Sequence, residues 1–226
     1  MRKTAVAVLV SVLLAVLTAC GSTDRADEPT TPAFTATSVK LEGPWYSFDL
    51  PQVEGGTDDA RTDFNEGMRA ELDPYIRAAA ENQRVKGYKS EVAHIGRHVL
   101  SGVLGIEVDD GYAHPTTFKR THVTDIDTGK TLTLPDLFTD LQKGLDRLST
   151  QAEAQIPKTR VGIRPYDKQR VAPAVENFKD WLAMPDGLRV YLGEIASHAL
   201  GYIDITIPWS ELDGVLKPAL RAVVSS

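Results

Sequence analysis

Two hydrophobic periods divide the chain. Structure is expected to begin near Ser38, where Val39, Leu41, Trp45, Phe48 and Leu50 have strand character and Gly43-Pro44 predicts a turn or bulge. From Thr57 the period changes. Ala60, Phe64, Met68, Leu72, Ile76 and Ala79 recur about every fourth residue behind Asp58 and Asp59, which suit a helix's first turn, and Pro74 is expected to kink or split this helix after Leu72. Alternation returns between Tyr88 and Asp109, clearest at Leu100, Leu104, Ile106 and Val108, with Gly96 and Gly102 read as bulges or a sharp bend. Asp109-Asp110-Gly111 is a turn, Thr116 to Ile126 a strand, and Asp127-Thr128-Gly129-Lys130 a tight hairpin turn.

A second helix is expected to open at Pro135-Asp136, bury Leu137, Phe138, Leu141, Leu145, Leu148 and Ala152, and stop at Pro157. Residues 158–180 read as loop with one short helix around Ala174–Lys179. Strands follow at Gly187–Leu192 and Tyr202–Pro208, and then a last helix carrying Trp209, Leu212, Leu216 and Leu220. Strands adjacent in sequence, with the helices set apart, predict an α+β fold: a mainly antiparallel sheet packed by two or three amphipathic helices.

The N-terminus has a different pattern. Arg2 and Lys3 precede an apolar run from Ala5 to Leu17, too short for the ~20 residues of a spanning helix but built like a secretory signal. It ends in Leu17-Thr18-Ala19-Cys20-Gly21, which resembles the lipobox of bacterial lipoproteins. That resemblance implies cleavage before Cys20, a lipid thioether on its sulfur and an acylated new N-terminus. More than one acyl chain would hold the protein stably to the membrane. Cys20 is the single cysteine, so acylation leaves no thiol for a disulfide, a nucleophile or a metal site. Residues 21–36 are rich in Ser, Thr, Pro and acid, the composition of a disordered tether. The expected organisation is a signal peptide at 1–19, a lipidated tether at 20–36 and a head at 37–226, with an N-terminal part of about 37–98 and a C-terminal part of about 99–221.

Charge narrows the partners. The 226-residue chain carries 25 Lys and Arg against 31 Asp and Glu, a net −6; loss of Arg2 and Lys3 with the signal takes this to −8. An acidic surface argues against nucleic acid and would steer basic partners toward the protein.

Two stretches are similar to a known family. One contains Leu100-Ser101-Gly102-Val103-Leu104, Asp110-Gly111-Tyr112-Ala113-His114-Pro115, and Gly129-Lys130-Thr131-Leu132-Thr133-Leu134-Pro135-Asp136-Leu137-Phe138. The other contains Asp186-Gly187-Leu188-Arg189-Val190-Tyr191-Leu192, Gly193-Glu194-Ile195, and Ile207-Pro208-Trp209-Ser210-Glu211-Leu212. Both resemble the extracytoplasmic domain of the anti-sigma factor RsiV, a domain shared with secreted mycobacterial antigens. The resemblance implies an α+β module that binds rather than reacts, and in RsiV the ligand is lysozyme. The chain departs from the family pattern at Tyr112 and at Ser197-His198, so a ligand contacting those loops would differ.

The candidate chemistry is sparse. No Gly-x-Ser-x-Gly elbow, phosphate-cradling loop or His-Glu-x-x-His occurs. His114 sits in a turn among acids, and His94 and His98, four apart on a strand, would stand ~13 Å apart, so no metal or cofactor is expected. The candidate ligand surface is Tyr112, His114, Tyr166 and His198, all in expected loops. Together these readings predict an extracytoplasmic lipoprotein held to the cell membrane through Cys20. Its head would be a non-catalytic binding module for a lysozyme-like protein or a peptidoglycan ligand. The alternative is a cell-wall hydrolase or metal-dependent esterase using loop histidines and carboxylates.

Overall fold

The computed structural model describes residues 33–226 apart from Asn82 and Ala113; the signal segment, Cys20 and the tether up to residue 32 lie outside the described residues. The head is an α+β fold of mainly antiparallel sheet. β1 (Thr35–Gly43) begins three residues before Ser38 and pairs antiparallel with β2 (Tyr46–Glu54) across the Pro44-Trp45 turn. α1 (Asp58–Ala78) follows and buries Ala60, Phe64, Met68 and Leu72. Burial of a Phe, Met or Leu side chain contributes about 1.5–3 kcal/mol, so this stripe fixes the helix to its sheet. The expected split at Pro74 does not occur, and α1 is one element through to Ala78. Pro74 and Ala70, whose carbonyl loses its donor four residues on, are both exposed, so the freed acceptor is not buried without a partner.

The centre of the fold is β5 (Val99–Asp109). One of its edges is shared by two short strands: β4 (Glu91–Ile95) pairs with residues 100–103 and β3 (Arg84–Gly87) with residues 106–109. β6 (Thr116–Asp125) takes the other edge and carries β7 (Lys130–Thr131). β3 also pairs parallel with β2, joining β1–β7 in one sheet that crosses the 98/99 division drawn from sequence. The bulge lies in β4 between Val92 and His94, not at the glycines. Gly102 instead lets α1 approach, since a Cβ there would meet Met68 Sδ at 2.6 Å and Phe64 Cζ at 2.7 Å.

Alternation in β5 does not separate core from solvent, because both faces are covered. Leu100, Leu104, Ile106 and Val108 pack under α1. On the other face Val103 meets Leu182 and Met184 of β8 (Trp181–Met184), and the Ser101 hydroxyl donates to the Ala183 carbonyl at 2.8 Å and accepts from its N–H at 3.1 Å. β8 belongs to a second antiparallel sheet with β9 (Gly187–Leu192) and β10 (Ile203–Pro208). The far side of that sheet is covered by α2 (Leu141–Gln155), through Leu145, Leu148 and Ala152 against Leu188, Val190, Ile203, Ile205 and Ile207.

Two expected helices are each divided. Residues Leu134–Leu137 form a 3-10 turn closed by a reciprocal Thr133–Asp136 capping box, and α2 starts afresh at Leu141 behind the Asp140 cap. Trp209–Leu212 is likewise a 3-10 turn, and α4 (Pro218–Val224) begins only at Pro218. The short helix expected around Ala174–Lys179 is α3 (Val175–Phe178). No helix among the described residues is long and apolar enough to cross a membrane.

Candidate functional site

The polar side chains of one face of β6 build the most developed site. Period two places Phe118, Arg120, His122 and Thr124 on the face toward α1. Asp63 of α1 accepts there from the Thr124 hydroxyl at 2.6 Å, the Thr131 hydroxyl at 2.8 Å and His122 Nε2 at 3.1 Å. Burial pushes the Asp63 carboxyl up, but the three donors outweigh it and hold the group below its ordinary range. The His122 ring is fixed as well: it lies edge-on to Phe64 with centroids 6.2 Å apart and fills the space over Gly67, where a Cβ would come within 2.1 Å of it.

One strand position pair along, Arg120 donates to the Asp180 carboxylate at 3.3 Å and to the Lys119 carbonyl at 2.6 Å. Its guanidinium stands 5.5 Å from the ring centroid of Tyr75, which in turn packs on Phe118. Burial raises Asp180 to about 6 against the opposing pull of Arg120 and Lys179, and raises the Tyr75 phenol to about 12. Arg120 itself is lowered by burial but raised overall by Asp180, Tyr75 and Tyr202.

Over His122 and Thr131 lies a groove of about 220 Å³, which Asp63, Arg120 and Asp180 support without lining. α1 contributes Glu71, β6 contributes Thr121–Val123, the 131–135 segment its wall, and Val175, Lys179 and Trp181 the far rim. The Thr121 hydroxyl is occupied by the Trp181 N–H at 2.9 Å, which anchors the rim to the floor. Glu71 and Glu176 both act on Asp180, so acids crowd this rim beside Lys179 and Arg120. The site offers a hydrogen-bonded His122 and Thr121, a wall from the 131–135 segment and charges of both signs at its rim.

The four loop residues read from sequence stand elsewhere. Tyr112 (81% exposed) and His114 are on the loop joining β5 to β6. Tyr166 is half-buried against the core of the second sheet, and His198 is exposed and pairs with Glu194 at 2.7 Å. The Asp167 N–H donates to the Ile195 carbonyl at 2.7 Å, which brings the Tyr166 and His198 loops together. Among the described residues no hydrogen bond or ion pair connects them to Tyr112 or His114. His94 and His98 flank the β4–β5 turn; His94 Nε2 meets the Ser226 main-chain oxygen at 2.7 Å, and His98 Nδ1 lies 2.8 Å from Asp127. No group of three or more His, Cys, Asp or Glu among the described residues is arranged to hold a metal.

Asp63, Arg120, His122 and Asp180 escape a reading of the sequence because their partners are about sixty residues away. The available signal was the run of polar residues at alternate positions of β6, on the side that also carries Phe118.

Comparison with known proteins places the fold. Residues 135–210 match a family model described as a protein of unknown function, DUF3298. No curated protein matches the sequence. A DUF3298 family member from Bacteroides fragilis NCTC 9343 superimposes with a TM-score of 0.61 at 17% identity, covering 86% of this chain and 98% of that one. A DUF3298 family protein from Pseudomonas aeruginosa PAO1 gives 0.59 at 16% identity, covering 86% and 97%. Residues 135–210 are thus similar to the DUF3298 family, and the fold is similar to that of solved DUF3298 proteins.

Proposed function

We propose that this protein is a lipid-anchored extracytoplasmic binding module, tethered through Cys20, whose head grips a basic protein of the lysozyme type or a peptidoglycan fragment. The observation that carries the reading is the groove over His122: the His122 and Thr131 side chains that line it are held by Asp63, which accepts hydrogen bonds from both and from Thr124. Such a network orients and stiffens a surface, and a basic ligand would be drawn to the acids at its mouth. The lipobox-like Cys20 segment and the resemblance to the RsiV extracytoplasmic domain support the same reading. Tyr112, His114, Tyr166 and His198 then serve as outlying contacts for a ligand large enough to reach beyond the groove.

Calorimetry with lysozyme and with soluble peptidoglycan fragments tests the binding, and Glu71→Lys tests the groove. Lysozyme binding that Glu71→Lys weakens supports the assignment; binding of neither ligand, together with turnover of a wall substrate, removes it. Labelling with radioactive palmitate, lost in Cys20→Ala, tests the anchor.

A hydrolase is the second reading, favoured by Asp180. A carboxyl raised to about 6 between two groove-lining residues can exchange protons near neutral pH. It requires wall-substrate turnover that Asp180→Asn abolishes.

A further inference from the structure

Away from the groove, the seven-stranded sheet opens. β2 pairs with β3 only at Tyr46↔Val85 and Ser47↔Lys86. Beyond them a cleft of about 380 Å³ lies between Ser47, Phe48 and Asp49 on one wall and Lys86, Gly87, Lys89 and Ser90 on the other. The second wall is the break between β3 and β4. There the Tyr88 N–H donates to the Gly105 carbonyl at 2.7 Å, and the Ser90 hydroxyl accepts the Gly105 N–H at 3.0 Å.

The break turns on Lys89, which adopts φ of 52°. A lysine held in this left-handed region is strained where glycine would not be. Its ammonium rests 5.0 Å from the ring centroid of the exposed Tyr88. Lys119 of β6 reaches across Gly105 to the Lys89 carbonyl at 3.4 Å, with its ammonium 5.7 Å from the Tyr191 ring. Burial, and then the charge of Lys89, hold Lys119 below the ordinary lysine range, with Glu91 and Asp204 opposing. None of Lys86, Lys89 and Lys119 makes an ion pair with a described carboxylate. A chain of net charge −6 thus places two lysines on one wall of the cleft, one of them on strained backbone, with a third ammonium against the Lys89 main chain.

We propose that this cleft binds a phosphate ester of a small polyol or sugar. Lys86 and Lys89 take the phosphate oxygens as charge-assisted donors, and Lys119 adds positive charge from behind. Ser47 and Asp49 on the opposite wall are placed for the ligand's hydroxyls: a carboxylate accepts from hydroxyl groups and repels a second anion. The site is separate from the groove over His122 and does not depend on what that groove holds. The same glycerol-phosphate chemistry occurs in soluble esters and in lipid headgroups.

The test is calorimetry on the purified protein at low salt, with glycerol 3-phosphate, inorganic phosphate, glycerate and glycerol as ligands. Co-sedimentation with phosphatidylglycerol and with phosphatidylcholine vesicles runs beside it. The informative variant is Lys89→Gly, which removes the charge while suiting the left-handed backbone, paired with Lys86→Gln; circular dichroism confirms the fold. Glycerol 3-phosphate is expected to bind more tightly than glycerate or inorganic phosphate, to weaken as salt rises, and to bind at least tenfold more weakly in the double variant. Lys179→Gln in the groove leaves it unchanged. Binding only to phosphatidylglycerol vesicles, lost in the same double variant, identifies the headgroup as the source. Failure to bind either source, glycerate binding as tightly, or affinity unaltered in the double variant overturns the proposal.

Discussion

Asp180→Asn gives the sharpest thermodynamic test of the β6 face. The Asp180 side chain is 13% exposed, and burial raises its carboxyl to about 6 despite Arg120 at 3.3 Å. In the unfolded chain the same group titrates at about 3.9. Between those values the folded protein holds a proton that the unfolded chain has released, so unfolding releases it and stability falls as pH rises. Integrating the two titrations from pH 4.5 to 7.5 gives a loss of about 2 kcal/mol attributable to this one group. Asparagine does not titrate and lacks that loss. Urea denaturation of both proteins at pH 4.5, 6.0 and 7.5 should therefore show the variant gaining about 2 kcal/mol on the parent across the interval, whatever its offset at either end. Contributions common to both proteins cancel in the difference. A difference that is flat with pH would refute the claim that Asp180 is a desolvated carboxyl, and a difference of opposite slope would mean that Arg120 dominates it.

Asp63 behaves in the opposite sense. Its carboxyl is held below its ordinary range, so its contribution is present above the unfolded value and lost as pH falls through the folded one. Asp63→Asn should cost about 2 kcal/mol at pH 7, and the gap to the parent should close in acid, by chemical denaturation at pH 7 and pH 3. Ser101→Ala strips the buried Ala183 N–H and carbonyl of their side-chain partner and should cost about 2–4 kcal/mol by the same measurement, with Ser101→Thr separating the lost hydrogen bonds from a volume effect. Gly102→Ala places a Cβ against Met68 and Phe64, and a loss of about 1–3 kcal/mol is expected from thermal melts. Phe178→Ala, which empties a fully buried site in the second core, should cost about 3–5 kcal/mol.

The sequence discloses the parts of this fold that depend on near neighbours. The Asp127–Lys130 turn, the stripe of α1 and the strands at β9 and β10 follow from local period and turn chemistry. What misleads is any residue whose role is set across the fold. Pro74 looks disruptive until it is seen that Ala70 faces water, and Gly102 reads as a bend until α1 is laid across it. Leu137 and Phe138 continue the apolar spacing of α2, but the Thr133–Asp136 capping box closes a separate 3-10 turn that ends at Leu137, with Phe138 as its C-cap. β8 is only four residues long and buried throughout, so it has no polar alternation to mark it as a strand. The candidate sites are the least legible part, since Asp63 and His122, or Lys89 and Lys119, meet only once the strands are paired.

The position of β5 governs how the molecule comes apart. It is hydrogen-bonded to β3, β4 and β6 and roofed by α1 on one side and β8 on the other. Its amide protons can reach solvent only when the entire head opens, so in deuterium oxide they should be the slowest to exchange, at a rate set by global unfolding. A fragment cut to residues 135–210 would lose this strand and with it the Ser101 link to β8, leaving a sheet with one wall missing.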